Sequence, residues 1–94
     1  METQKYNGWT NYATWLIALH IDNEQALQDE ALSLHKENTY DYSKSLENWF
    51  DDLVEFLDGF KSTIVADLVR ATLSDVNWYE IAEHYQNTYK EVYE

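Results

Sequence analysis

The chain has 94 residues, no cysteine and a formal charge of −12, from 18 acidic and six basic side chains. This composition excludes a disulfide framework or thiolate metal site, and it disfavours direct nucleic-acid or anionic-membrane binding, both of which call for Lys and Arg. A chain of this length makes one domain, residues 1–94, burying only about 60–65% of its unfolded surface, so four Trp, eight Tyr and three Phe must supply a dense core.

The N-terminus lacks a basic start followed by an apolar run, so no export signal is expected. The longest near-continuous apolar stretch, residues 15–21, falls far short of the ~20 residues that span a bilayer. The expected location is the cytoplasm.

With no proline and glycine only at positions 8 and 59, the chain has few breakers, and its apolar spacing is helical nearly throughout. Residues 6–9 could be extended, a short N-terminal arm before the first helix. That helix fits residues 11–21 with Thr10 as N-cap, and Tyr12, Trp15, Leu16 and Leu19 form one buried stripe. Asn23 is placed to cap a second helix reaching about residue 37, with Leu27, Ala31, Leu34 and His35 on one face. It is less apolar than its neighbours and is expected to be the least tightly packed.

Residues 38–41 read as a loop. A third helix starts near Tyr42 or Ser43 and has the strongest period: Leu46, Trp49, Phe50, Leu53 and Leu57. Gly59 ends it, because glycine takes the left-handed conformation without a Cβ clash, and Phe60 can fold back on the last turn. A fourth helix, residues 63–73 with Ser62 as cap, presents Ile64, Val65, Leu68 and Val69. The fifth follows Asn77, which with Glu80 makes a capping-box-like pair, and its stripe is Trp78, Ile81, Ala82, Tyr85, Tyr89 and Val92. The sum is an all-α fold, a compact bundle of about five short helices.

Catalytic signatures are absent: no Cys nucleophile, no Gly-rich phosphate loop, no H-E-x-x-H. His20, His35 and His84 lie on separate helices, without the spacing of a metal motif. The acid pairs fall on polar helix faces, where both members ionise. The expectation is a non-enzymatic protein with no cofactor and no metal.

The sharpest local pattern is in the third helix. Glu47, Asp51 and Glu55 recur at i, i+4 and i+8, Asp58 follows at i+11, and Asp52 flanks them. They lie opposite the Trp49-Phe50-Leu53 stripe, with only Lys44 as a nearby opposite charge. Like charges at i,i+4 cost roughly 0.2–0.5 kcal/mol per pair, so selection for helix stability alone would have placed Lys among them. Successive acids rise about 6 Å, near the phosphate repeat of one nucleic-acid strand. Such a column could imitate a phosphate backbone and occupy the nucleic-acid site of a basic protein. The competing reading is the solvated outer face of a highly charged domain.

Trp15, Trp49 and Trp78 sit in helical stripes and read as core. Trp9 lies outside any stripe, so it either staples the N-terminal arm to the bundle or is an exposed anchor for a partner. Tyr40, Tyr42, Tyr79 and Tyr93 cannot all be buried, and exposed tyrosines suit interfaces.

The run Asn7-Gly-Trp-Thr-Asn-Tyr-Ala-Thr-Trp-Leu-Ile-Ala-Leu-His-Ile-Asp-Asn resembles the opening of a family of small proteins from phages, mobile elements and bacteria. The later Val76-Asn-Trp-Tyr-Glu-Ile-Ala-Glu is similar to that family's second landmark. The resemblance covers about a quarter of the chain and carries over no catalytic residue. It implies a phage-type accessory protein. By analogy with other small acidic phage proteins, the expected partner is a host defence nuclease complex, CRISPR or restriction. The alternative is a structural or regulatory module that oligomerises or binds a protein through exposed aromatics.

Overall fold

The computed structural model describes the backbone of residues 7–58 and 63–94 and the side chains of residues 7–55 and 67–94. Asn7 and Gly8 both take positive φ (49° and 92°), so a turn stands at residues 7 and 8, where a short extended arm was one possibility, and Trp9 forms an isolated bridge; Tyr6 lies outside the described residues. Five helices follow: α1 (Tyr12–Asn23), α2 (Gln25–Ser33), α3 (Thr39–Asp58), α4 (Thr63–Ser74) and α5 (Trp78–Tyr93). The fold is all-α.

α5 is the hub. It packs most extensively on α3 and also touches α1 and α2, while α4 lies against α3. Trp78, Ile81, Ala82 and Tyr85 are buried along one α5 face, as their spacing predicts, whereas Val92 is exposed. Tyr42 and Leu46 come in from α3, Ile21 from α1 and Ala31 from α2 to complete the core. Trp49, Phe50 and Leu53 of α3 are half-buried.

α1 buries a different face from the expected one. Ala13, Thr14, Ala18 and Ile21 are buried, while Trp15, Leu16 and Leu19 are half-buried and Tyr12 is half-exposed. Apolar residues encircle this helix, so period alone could not select a side. The side chosen carries Ala13, Thr14 and Ala18, with Ile21 as its one large residue.

Several boundaries differ from the expected ones. Asn11, not Thr10, caps α1, its Oδ1 accepting from the Thr14 N–H at 2.9 Å. Asn23 stays inside α1 instead of capping α2, and the extended Glu24 stands before α2 without a side-chain cap. α2 stops at Ser33, short of residue 37, because the Lys36 and Glu37 carbonyls accept from Gln86 Nε2 of α5 (3.1 and 3.0 Å). His35, just past the helix, stacks flat on Tyr89 at 3.7 Å. The expected loop at 38–41 is the cap and first turn of α3: Asn38 Oδ1 accepts from the Asp41 N–H at 3.0 Å. Helix α2 buries Ala31 and Leu32. Leu68 and Val69 of α4, expected in a buried stripe, are 63% and 38% exposed. Gly59, Phe60 and Ser62, with the side chains of Leu57, Asp58, Ile64 and Val65, lie outside the described residues.

The starts of α1 and α5 cap one another. Asn77 Oδ1 accepts from the Glu80 N–H (3.0 Å), the expected half of a capping box. The other half is exchanged between helices. Glu80 Oε1 reaches the Thr10 N–H (3.0 Å), while the Asn77 N–H donates to the buried Thr14 Oγ1 (2.8 Å). Thr14 Oγ1 in turn donates to Asn11 Oδ1 (2.7 Å), and Asn11 Nδ2 donates to the Asp75 carbonyl (2.9 Å). Helix starts that would otherwise leave unsatisfied N–H groups are closed reciprocally.

Candidate functional site

The α3 acids lie along a groove rather than on a free convex face. Glu47, Asp51, Val54 and Glu55 form one wall, Arg70, Leu73 and Ser74 of α4 form the other, and Trp78 of α5 contributes the floor, around about 330 Å³. Asp51 and Glu55 are exposed and Glu47 is half-buried. The structure therefore brings Glu47, Asp51 and Glu55 together. Asp52 is exposed but does not line the groove, and the Asp58 side chain lies outside the described residues.

The charge around the column is less one-sided than the sequence suggested. Lys44 Nζ meets Glu47 Oε1 at 3.3 Å, with Lys44 exposed and Glu47 partly so, a solvent-screened pair worth little. Arg70 also lines the groove, brought there by the fold of α4 onto α3. It lies far from the column in sequence, so no local pattern announced it.

Trp9 lies beside His84 of α5. It is half-buried, packs against the core and meets the His84 ring edge-on, with centroids 5.1 Å apart. His84 Nε2 lies 3.7 Å from Asp22 Oδ2, and Asp22 Oδ1 accepts from the Tyr85 hydroxyl at 2.7 Å. Burial, and then the Asp22 carboxylate, hold the Tyr85 phenol well above its usual range. Burial alone raises that of Tyr42, whose hydroxyl donates to the Ala31 carbonyl at 2.7 Å. Neither phenol lines the α3–α4 groove that holds the acids.

Among the described residues, no group of three or more His, Asp or Glu is placed to hold a metal ion. The histidines occupy three separate settings: His20 exposed near the end of α1, His35 on Tyr89, and His84 between Trp9 and Asp22. Among the described residues no helix is long and apolar enough to cross a membrane. Of the four tyrosines in question, Tyr42 is buried, whereas Tyr40, Tyr79 and Tyr93 are 59%, 49% and 63% exposed.

Sequence reasoning missed a second groove, between α1 and α4, lined by Leu16, Ile17, Leu68, Val69, Thr72 and Leu73. Its only early signal was the excess of apolar residues around α1.

No curated protein and no solved structure matches the chain. A family model does match it, over residues 2–94, nearly its whole length. The chain belongs to that family, DUF7249, a family of unknown function.

Proposed function

We propose that this chain is a non-enzymatic interaction protein that occupies a basic, nucleic-acid-binding site on another protein through the α3 acids. The observation that carries this reading is the arrangement of Glu47, Asp51 and Glu55 along one wall of an open groove, in a chain of net charge −12. The three carboxylates sit on one 20-residue helix, so their spacing is fixed before binding. Asp52 adds an exposed carboxylate beside them. In its finer form, the protein is a phage-type inhibitor of a host defence nuclease complex, CRISPR or restriction, acting in the host cytoplasm as a mimic of DNA. Arg70 offsets part of the negative charge, so the imitation would be of a local phosphate run and not of an extended duplex.

The test is capture of partners from host lysate on the tagged chain, with and without excess duplex DNA. A nuclease complex released by DNA is the expected result. A partner indifferent to DNA would count against occupation of a nucleic-acid site.

A second reading, a module that oligomerises or binds a protein through aromatics, draws on the exposure of Tyr12, Tyr40, Tyr79 and Tyr93. Sedimentation at rising concentration separates the two, because a strict monomer removes the oligomer.

A further inference from the structure

The α1–α4 groove encloses about 280 Å³ between Leu16, Ile17, Leu68, Val69, Thr72 and Leu73. Its lining is almost wholly apolar. Among the described residues the one polar side chain of the lining, Thr72, turns its hydroxyl back to the Leu68 carbonyl of its own helix at 3.0 Å. Leu68 and Val69 stand 63% and 38% exposed, an apolar edge in a chain otherwise rich in surface acids. A cavity of about 150 Å³ accepts a benzene ring, so this groove has room for two large apolar side chains. Neighbouring positions of one face of a helix, i and i+3 or i+4, would present such a pair.

The surrounding charge selects among helices. Asp67 is exposed on α4 directly before Leu68. Leu73 lines both this groove and the acidic one, so the α3 carboxylates stand just across α4. A second copy of the chain would bring −12 against −12, whereas a cationic helix gains from the same field.

We infer that the α1–α4 groove docks an amphipathic helix of the partner protein, apolar on the face it inserts and rich in Lys or Arg on the other. This rests on the reading that the partner is basic, and it adds an apolar contact to the electrostatic one.

The probe is a labelled helical peptide of about 18 residues, five turns, with Leu at i, i+3, i+4 and i+7 and Lys elsewhere. A second peptide keeps the leucines and replaces every Lys by Gln. Both are titrated by fluorescence anisotropy against the full chain, its Leu68→Asn/Val69→Asn variant and its Glu47→Gln/Asp51→Asn/Glu55→Gln variant. The Lys peptide should bind the full chain and lose about tenfold or more on the Leu68/Val69 variant, and the Gln peptide should bind more weakly throughout. Equal affinity for the full chain and the Leu68/Val69 variant would overturn the proposal, because attraction would then be charge alone. Equal affinity of the two peptides for the full chain would overturn its cationic half. Self-association by sedimentation that the Leu68/Val69 variant abolishes would assign the groove to a second copy instead. The acid-column reading fails separately, if the α3 variant still captures its natural partner undiminished.

Discussion

The Tyr85 hydroxyl donates to Asp22 while its ring is fully buried, and both features act on the same proton. Its folded pKa lies above the unfolded value of about 10. Below pH ~10 both states keep the proton and the stabilisation is intact. Above that pH the unfolded chain ionises and the folded chain does not, so stability falls as pH rises. Replacing Tyr85 by Phe should cost about 1–2 kcal/mol at neutral pH, the lower range for a hydrogen bond to a charged but exposed partner. It should also make the decline above pH ~10 shallower, with Tyr42 supplying what remains. Urea unfolding across a pH series checks both; an unchanged alkaline slope would contradict the assignment. At this scale the sequence was legible where chemistry is local, as with Asn77 and the Glu80 N–H. It was ambiguous for Trp9, because an edge contact with His84 joins residues far apart and has no local signature.

Among the elements, two stretches far apart in sequence, at the starts of α1 and α5, exchange caps. Asn11 and Thr14 lie in the first, Asn77 and Glu80 in the second, and each stretch satisfies N–H groups at the start of the other. Thr14→Val keeps the shape but leaves the Asn77 N–H without its acceptor. The expected loss is about 1–3 kcal/mol, while Thr14→Ser should lose clearly less; thermal unfolding of the two variants makes the comparison. A smaller loss in Thr14→Val than in Thr14→Ser would mean that the methyl packing, not the hydroxyl, matters. The existence of five helices was readable from periodicity and caps, and α5 was read almost residue for residue. The side that α1 buries was not, because that helix is apolar all round. Beyond the end of α2, Gln86 of a distant helix binds the backbone, which no local signal announces, whereas the Asn38 cap that starts α3 is local and was read as loop. Leu68 and Val69 break the rule that an apolar stripe is a buried one, and their exposure sets an expectation of its own. The Leu68→Asn/Val69→Asn variant should stay within about 0.5 kcal/mol of the parent per site, as exposed positions do. A larger drop in urea unfolding would place them in the fold's support instead.

For the whole molecule, the decisive quantity is where the charge of −12 is concentrated. The i, i+4, i+8 register of Glu47, Asp51 and Glu55 was visible in the sequence, and the structure keeps these three together. The groove they line was not visible, since Arg70, Leu73 and Trp78 reach it from other helices. Because exposed acids at i,i+4 repel, Glu47→Gln/Asp51→Asn/Glu55→Gln should leave stability unchanged or raise it slightly, by a few tenths of a kcal/mol. Loss of binding in that variant would therefore report on recognition and not on folding. The most direct measurement is the affinity of the captured partner for the parent chain and for this variant, each across a range of salt. The account expects the parent to bind tightly with a steep salt dependence, and the variant to bind at least about tenfold more weakly with a shallower one. Equal affinity and equal salt dependence would contradict it, leaving the acids as a solvated face and the apolar α1–α4 groove as the surface to pursue.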